Sequence, residues 1–171
     1  MDNAVKTSRR TIIIQILGAI GLAGCGFKLR GSQNFAFSRI AITPYPGDAV
    51  AAELRRALEG RVQVMTKDAP LTQSQIVLDI HSEQREKVVV GVNASGQVRE
   101  FQLRIRVRFG ITSSKGVEIV ADDEILLQRD FSYNESAALA KETEEALLYQ
   151  DMQSDIVQQI LRRLSSISQI E

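Results

Sequence analysis

The segment from Arg99 to Gly110 alternates more clearly than any other part of the chain. Phe101, Leu103, Ile105, Val107 and Phe109 fall on one face, and Gln102, Arg104, Arg106 and Arg108 fall on the other. Successive side chains of a strand point to opposite sides, so this is a strand with one dry face and one charged face. A sheet built around it needs one cover layer, not two.

The flanking segments supply that sheet and that layer. Ser113 to Gly116 reads as a hairpin turn, and Val117 to Tyr133 runs back with Ile125, Leu127 and Phe131 in one register. Upstream, Gln75 to Arg85 reads as a strand with Ile76, Leu78 and Ile80 inward. The polar run Ser82 to Glu86 and then Val88 to Val90 follow, before Gly91 to Gly96 turns the chain. Near Glu135 the apolar period changes from 2 to 3.6. Leu139 to Leu164 reads as one long helix whose stripe is Leu148, Tyr149, Met152, Ile156, Val157, Ile160, Leu161 and Leu164. Glu142, Glu144 and Glu145 sit early and Arg162 and Arg163 late, matching the helix dipole, and Ser165 to Glu171 reads as a frayed tail.

The first half is shorter-grained. Arg39 to Thr43 reads as a strand ended by Pro44, Pro46 and Gly47. Asp48 is a suitable N-cap for a helix carrying Val50, Leu54, Ala57 and Leu58, which Gly60 stops. Val62 to Met65 is a second short strand, so the chain opens with a parallel β-α-β unit; Lys67 to Ser74 is a loop carrying Pro70. The fold class that results is α+β, with two helices packed on one face of a four- to five-stranded mixed sheet.

Leu22-Ala23-Gly24-Cys25 constrains location. Lys6, Arg9 and Arg10 precede an apolar core from Ile12 to Leu22, about 11 residues long and too short to span a bilayer. The small residues Ala23 and Gly24 then meet the only cysteine of the chain. This is the pattern of a lipoprotein signal. Residues 1–24 are expected to be cleaved, Cys25 to carry an N-acyl diacylglyceryl lipid, 25–38 to form a lipidated tether, and 39–171 a single domain. Arg9-Arg10 after Ser8 hints at twin-arginine export, but the rest of that motif is poor and the general secretory route is expected. Each buried methylene contributes roughly 0.8 kcal/mol, so a multiply acylated cysteine holds its leaflet permanently. Gly26, where an aspartate would signal inner-membrane retention, points to outer-membrane sorting.

Formal net charge is zero, and residues 1–24 hold more base than acid, which leaves the remainder slightly acidic. Nucleic acid is therefore not an expected partner. No catalytic constellation stands out. His81, the single histidine, lies on the polar phase of an apolar strand, and neither a phosphate loop nor a nucleophile elbow occurs. Metal and cofactor sites are not expected, and the acidic run Asp122-Asp123-Glu124 reads as solvated hairpin.

Arg104, Arg106 and Arg108 project from one strand face about 6.6 Å apart, a row suited to an anion. The alternative is a solvated face whose arginines pair with Glu83, Glu118 or similar residues. Lys141, in the first turn of the long helix, is unfavourable against the dipole, and a pair with Glu145 at i+4 would offset this.

A set of short segments gives the chain a resemblance to a known family. These are Ala23-Gly24-Cys25-Gly26-Phe27-Lys28-Leu29-Arg30-Gly31, Gly96-Gln97 with Glu100-Phe101-Gln102-Leu103, Arg129-Asp130-Phe131, Leu139-Ala140-Lys141-Glu142, and Gln159-Ile160-Leu161-Arg162-Arg163-Leu164. In this order they resemble the LptE (RlpB) family of lipopolysaccharide-assembly lipoproteins. The resemblance implies an outer-membrane lipoprotein that complexes with the β-barrel LptD as plug and assembly partner and binds lipopolysaccharide. It also implies that Lys141 contacts lipopolysaccharide. At the central hairpin, Ala94 and Ser95 stand where a basic residue can occur, and Arg99 is the substitute. With the row Arg104, Arg106 and Arg108, these are the expected lipopolysaccharide-binding residues. The competing expectation is a periplasmic adaptor lipoprotein of another envelope complex, without a lipid ligand.

Overall fold

A computed structural model describes residues 34–45 and 47–168; the signal segment, Cys25 and the tether up to residue 33 lie outside the described residues. The elements are β1 (Arg39–Thr43), α1 (Ala49–Leu58), β2 (Gln63–Val64), β3 (Ile76–Val92), β4 (Val98–Ser113), β5 (Glu118–Ser132) and α2 (Ala138–Ser166). Single 3-10 turns at Leu71–Gln73 and Glu135–Ala137 precede β3 and α2.

The sheet order is β2-β1-β3-β4-β5. β1 pairs in parallel with β2 and with the first residues of β3, and β3, β4 and β5 form an antiparallel meander. Because β1 meets only Ile76 to Asp79 of β3, the sheet has a five-stranded end and a three-stranded extension. α1 covers the first. α2, with 29 residues and so about 43 Å long, covers both. The α+β class, with two helices on one sheet face, is thus the observed architecture.

The core lies in that single interlayer. Ile40, Leu54, Leu58, Ile76, Leu78, Leu103, Ile105, Phe109, Ile111, Met152, Ile156 and Ile160 are fully buried in it. Fully burying one such side chain stabilises by roughly 1.5–3 kcal/mol, so this layer dominates the fold. Phe37 joins it and Phe35 packs against it, their rings 5.2 Å apart. The last residues of the expected tether are therefore docked onto the domain.

Several local readings are corrected. β3 does not stop at Arg85 but runs on to Val92, because its polar stretch stays paired with β4. β2 shrinks to two residues. Asp48 occupies the N-cap position of α1 but makes no side-chain cap; Glu83 of β3 accepts the Val50 N–H at 2.9 Å instead. Gly47 before it has φ +73°, and an added Cβ would lie 2.6 Å from that of Ala51, so no other residue fits this bend. α2 extends through Ser166 and Ile167 is buried, so only residues 169–171 of the expected frayed tail fall outside the described residues.

A bulge in β3 matters most for the site. Ile80 opposes Phe109, but Ser82 opposes Arg108, so the register shifts at His81. Beyond it the inward phase passes from even to odd numbers. Glu83, Arg85, Lys87 and Val89 then face the helix layer, opposite Val107, Ile105, Leu103 and Phe101.

Candidate functional site

The structure separates the basic residues singled out in the sequence. Arg104, Arg106 and Arg108 lie on the uncovered sheet face, alternating with buried Leu103, Ile105 and Val107. Arg104 lies 3.9 Å from Glu86 and bonds Gln102, Arg106 bonds Glu124 at 3.0 Å, and Arg108 pairs with Asp122. The partners differ from Glu83 and Glu118, since Glu83 faces the helices and Glu118 sits near the β4–β5 turn. His81 stands on the same face, 3.2 Å from Asp122 and 3.5 Å from Asp79. The acidic run is a paired strand segment rather than a solvated hairpin: Asp122 and Glu124 face these bases, and Asp123 pairs with Arg163 of α2. Such exposed pairs contribute only about 0–1 kcal/mol each. Their effect is to leave the row electrically satisfied.

Lys141 stands on the other side of the sheet. Its ammonium is 5.2 Å from the ring centroid of Phe131, which is buried against the helix layer. It donates to Ser132 Oγ at 3.2 Å and to Glu144 at 2.8 Å, so the partner is the i+3 carboxylate and not Glu145. Glu145 is held at 2.5 Å by Lys87 of β3. Lys87 in turn lies 4.3 Å over the Phe101 ring and 5.9 Å from that of Phe131. Two ammoniums thus flank one buried aromatic ring, where the quadrupole favours a cation. Tyr133 meets Phe101 edge-on at 5.3 Å and widens the apolar floor.

An open cleft of about 520 Å³ continues from Lys87 along the β3–α2 seam, lined by Arg85, Lys87, Glu142, Glu145, Ala146 and Tyr149. The Tyr149 hydroxyl donates to the Glu86 carbonyl at 2.8 Å, and burial, helped by Glu145, pushes its pKa up. Arg85 bonds Gln153 of α2 at 2.7 Å and Glu83 at 3.1 Å. Arg99 is exposed at the same end of the sheet, beside Asn134, Glu135 and Ser136 at the start of α2. The hairpin tip next to it is locked by Asn93, whose Oδ1 accepts the Ser95 and Gln97 N–H groups at 3.0 and 2.9 Å. Val89, Val90 and Val92 stay about half exposed along that tip.

The three-stranded extension and the first turns of α2 therefore carry lysines over aromatic rings, an exposed arginine and bare valines. Lys87 was not singled out in the sequence. A simple alternation from Ile76 puts Ser82, Gln84 and Glu86 inward and Lys87 outward; only the bulge at His81 reverses this.

Fold and groove together define a two-layer α+β domain with a groove of paired lysines and aromatic rings at one end. The chain belongs to the LptE family of lipopolysaccharide-assembly lipoproteins, whose sequence model matches residues 35–164. It is similar to the LPS-assembly lipoprotein LptE of Yersinia enterocolitica, 29% identical over 161 residues, which cover 91% of this chain and 76% of that protein. The LptE of Photorhabdus laumondii is 26% identical over 168 residues, 95% of this chain and 90% of the relative. Among solved structures, lipoprotein B of Nitrosomonas europaea superposes with a TM-score of 0.71 at 37% identity, covering 82% of this chain and 91% of the other. The rare lipoprotein B of Shewanella oneidensis, at 22% identity and TM-score 0.63, covers 75% and 94% and shares the fold.

Proposed function

We propose that this protein is an outer-membrane lipoprotein, anchored through lipid on Cys25, that complexes with an LptD-type β-barrel and binds lipopolysaccharide. It is a non-enzymatic plug and assembly partner, and it hands lipopolysaccharide on toward the outer leaflet. One observation carries the ligand reading: Lys87 and Lys141 flank the Phe131 ring at 5.9 and 5.2 Å. Lipid A presents phosphates beside acyl chains. Ammoniums over an aromatic floor, with bare valines at the adjoining tip, meet both chemistries. Family membership and the lipidation pattern support the location. The uncovered face of paired charges supports the barrel, because the lumen of such barrels is polar.

Affinity purification of the tagged full-length protein from gently solubilised envelopes tests this reading. An outer-membrane barrel and lipopolysaccharide are expected together in the eluate. Recovery of inner-membrane or cell-wall partners, with no barrel and no lipopolysaccharide, would contradict it and favour an adaptor role.

A further inference from the structure

Both lysines of the groove are already partnered, and both partners come from consecutive residues of α2. Glu145 meets Lys87 at 2.5 Å and Glu144 meets Lys141 at 2.8 Å. These are lengths of charge-assisted bonds. The carboxylates therefore stand where an incoming anion would stand. Glu142 lines the same cleft and makes no ion pair among the described residues.

The pairs set a threshold for ligands. An anion reaching either ammonium has to replace a carboxylate. Exchanging one singly charged partner for another gains almost nothing, because the bond broken resembles the bond made. A ligand gains when it brings more charge than it displaces, or when it displaces both carboxylates from one scaffold. In the second case the second exchange is intramolecular and strongly favoured. Both ammoniums lie within 5.9 Å of the Phe131 ring centroid, close enough for one scaffold to span them. Displacement does not require the helix to move. The Glu144 side chain is 52% exposed and that of Glu145 21%, and both are long enough to swing into solvent.

We infer that Glu144 and Glu145 are specificity-determining residues: built-in counter-anions that make the groove reject amphiphiles with one singly charged group and favour those carrying two phosphates over those carrying one. The inference rests on the reading of Lys87 and Lys141 as the headgroup site. It makes α2 a selective element and not only a cover for the sheet.

The test uses the full-length protein in detergent micelles and two probes, an acylated diglucosamine with two phosphates and the same molecule with one. The wild type should prefer the bisphosphate by about tenfold or more, the effect of one extra charge-assisted bond. Glu145→Gln should raise affinity for the monophosphate by about three- to tenfold and narrow the preference. Glu118→Gln removes an equal charge from the exposed β4–β5 turn, outside the cleft, and should change either affinity by less than about twofold. Adding Lys87→Gln to Glu145→Gln should abolish the gain. A gain of affinity cannot come from misfolding, so instability of a variant does not mimic the expected result. An unchanged preference in Glu145→Gln, or an equal gain in Glu118→Gln, overturns the inference and leaves the headgroup site standing. Failure of the wild type to bind either probe overturns the headgroup site as well.

Discussion

Glu83 is the residue on which the helix-side polar groups converge. Its side chain is 5% exposed, caps α1 through the Val50 N–H, and takes a bond from Arg85. Removing it leaves a helix N–H and a guanidinium short of a partner. Glu83→Ala should destabilise the domain by about 1–3 kcal/mol in urea unfolding, and Glu83→Gln, which keeps a cap acceptor, by less. Tyr149 gives a prediction in pH. Its pKa is raised in the folded state by burial, with Glu145 as the next cause. A raised pKa means the folded protein holds the phenolic proton more tightly than the unfolded chain does. The contribution is full below the ordinary tyrosine value of about 10 and is lost as pH rises past it toward the folded value. Stability of the wild type should therefore fall more steeply than that of Tyr149→Phe across that alkaline window. At this scale the family resemblance of its segment drew attention to Lys141. Lys87 was not, and neither was the cap, since Asp48 looked as suitable a cap as any. Both depend on which way a strand residue points after a bulge, and one extra residue leaves no mark in the alternation pattern.

Elements with a strong period were read almost to their ends. β1 spans Arg39–Thr43 as the alternation of Ile40 and Ile42 required, and α2 follows its stripe. Met152, Ile156, Val157, Ile160, Leu161 and Leu164 are buried, while Leu139 is 81% exposed and Leu147 57%. The two halves of α2 should respond differently to truncation. Ile160→Ala should cost about 2–5 kcal/mol, whereas Leu139→Ala should stay within about 0.5 kcal/mol, both read from chemical denaturation. β3 was read too short because its middle is charged. Those charges are satisfied across the layer: Arg85 by Gln153, Lys87 by Glu145, and on the far edge Arg129 by Asp155 at 3.3 Å. The seam between sheet and helix is thus polar along both sides of a dry centre. A sequence reading that equates inward with apolar misses the polar margins of a layer only one helix wide.

At the scale of the molecule, single cover of the sheet decides where function can sit. The uncovered face is broad and charge-balanced, with Arg106 and Arg108 neutralised by Glu124 and Asp122. β5 forms a long edge whose charged residues discourage pairing with another strand. The covered face is different. Beyond the five-stranded end it opens into the groove of Lys87, Lys141, Phe101 and Phe131, where cation and apolar surface coincide. The sequence announced the single cover layer through one alternating strand. It could not say on which side of the sheet the lysines and the arginines would lie, and the pattern allowed an anion-binding row of arginines beside the favoured reading of a paired one. The direct measurement is lipopolysaccharide binding by the full-length protein in two variants, Lys87→Gln with Lys141→Gln, and Arg104→Gln with Arg106→Gln and Arg108→Gln. Affinity should fall by about ten- to a hundredfold in the first, because two charge-assisted bonds to the ligand disappear, and change by less than about twofold in the second. A large loss in the arginine variant with the lysine variant unaffected would put the ligand on the uncovered face and contradict the account.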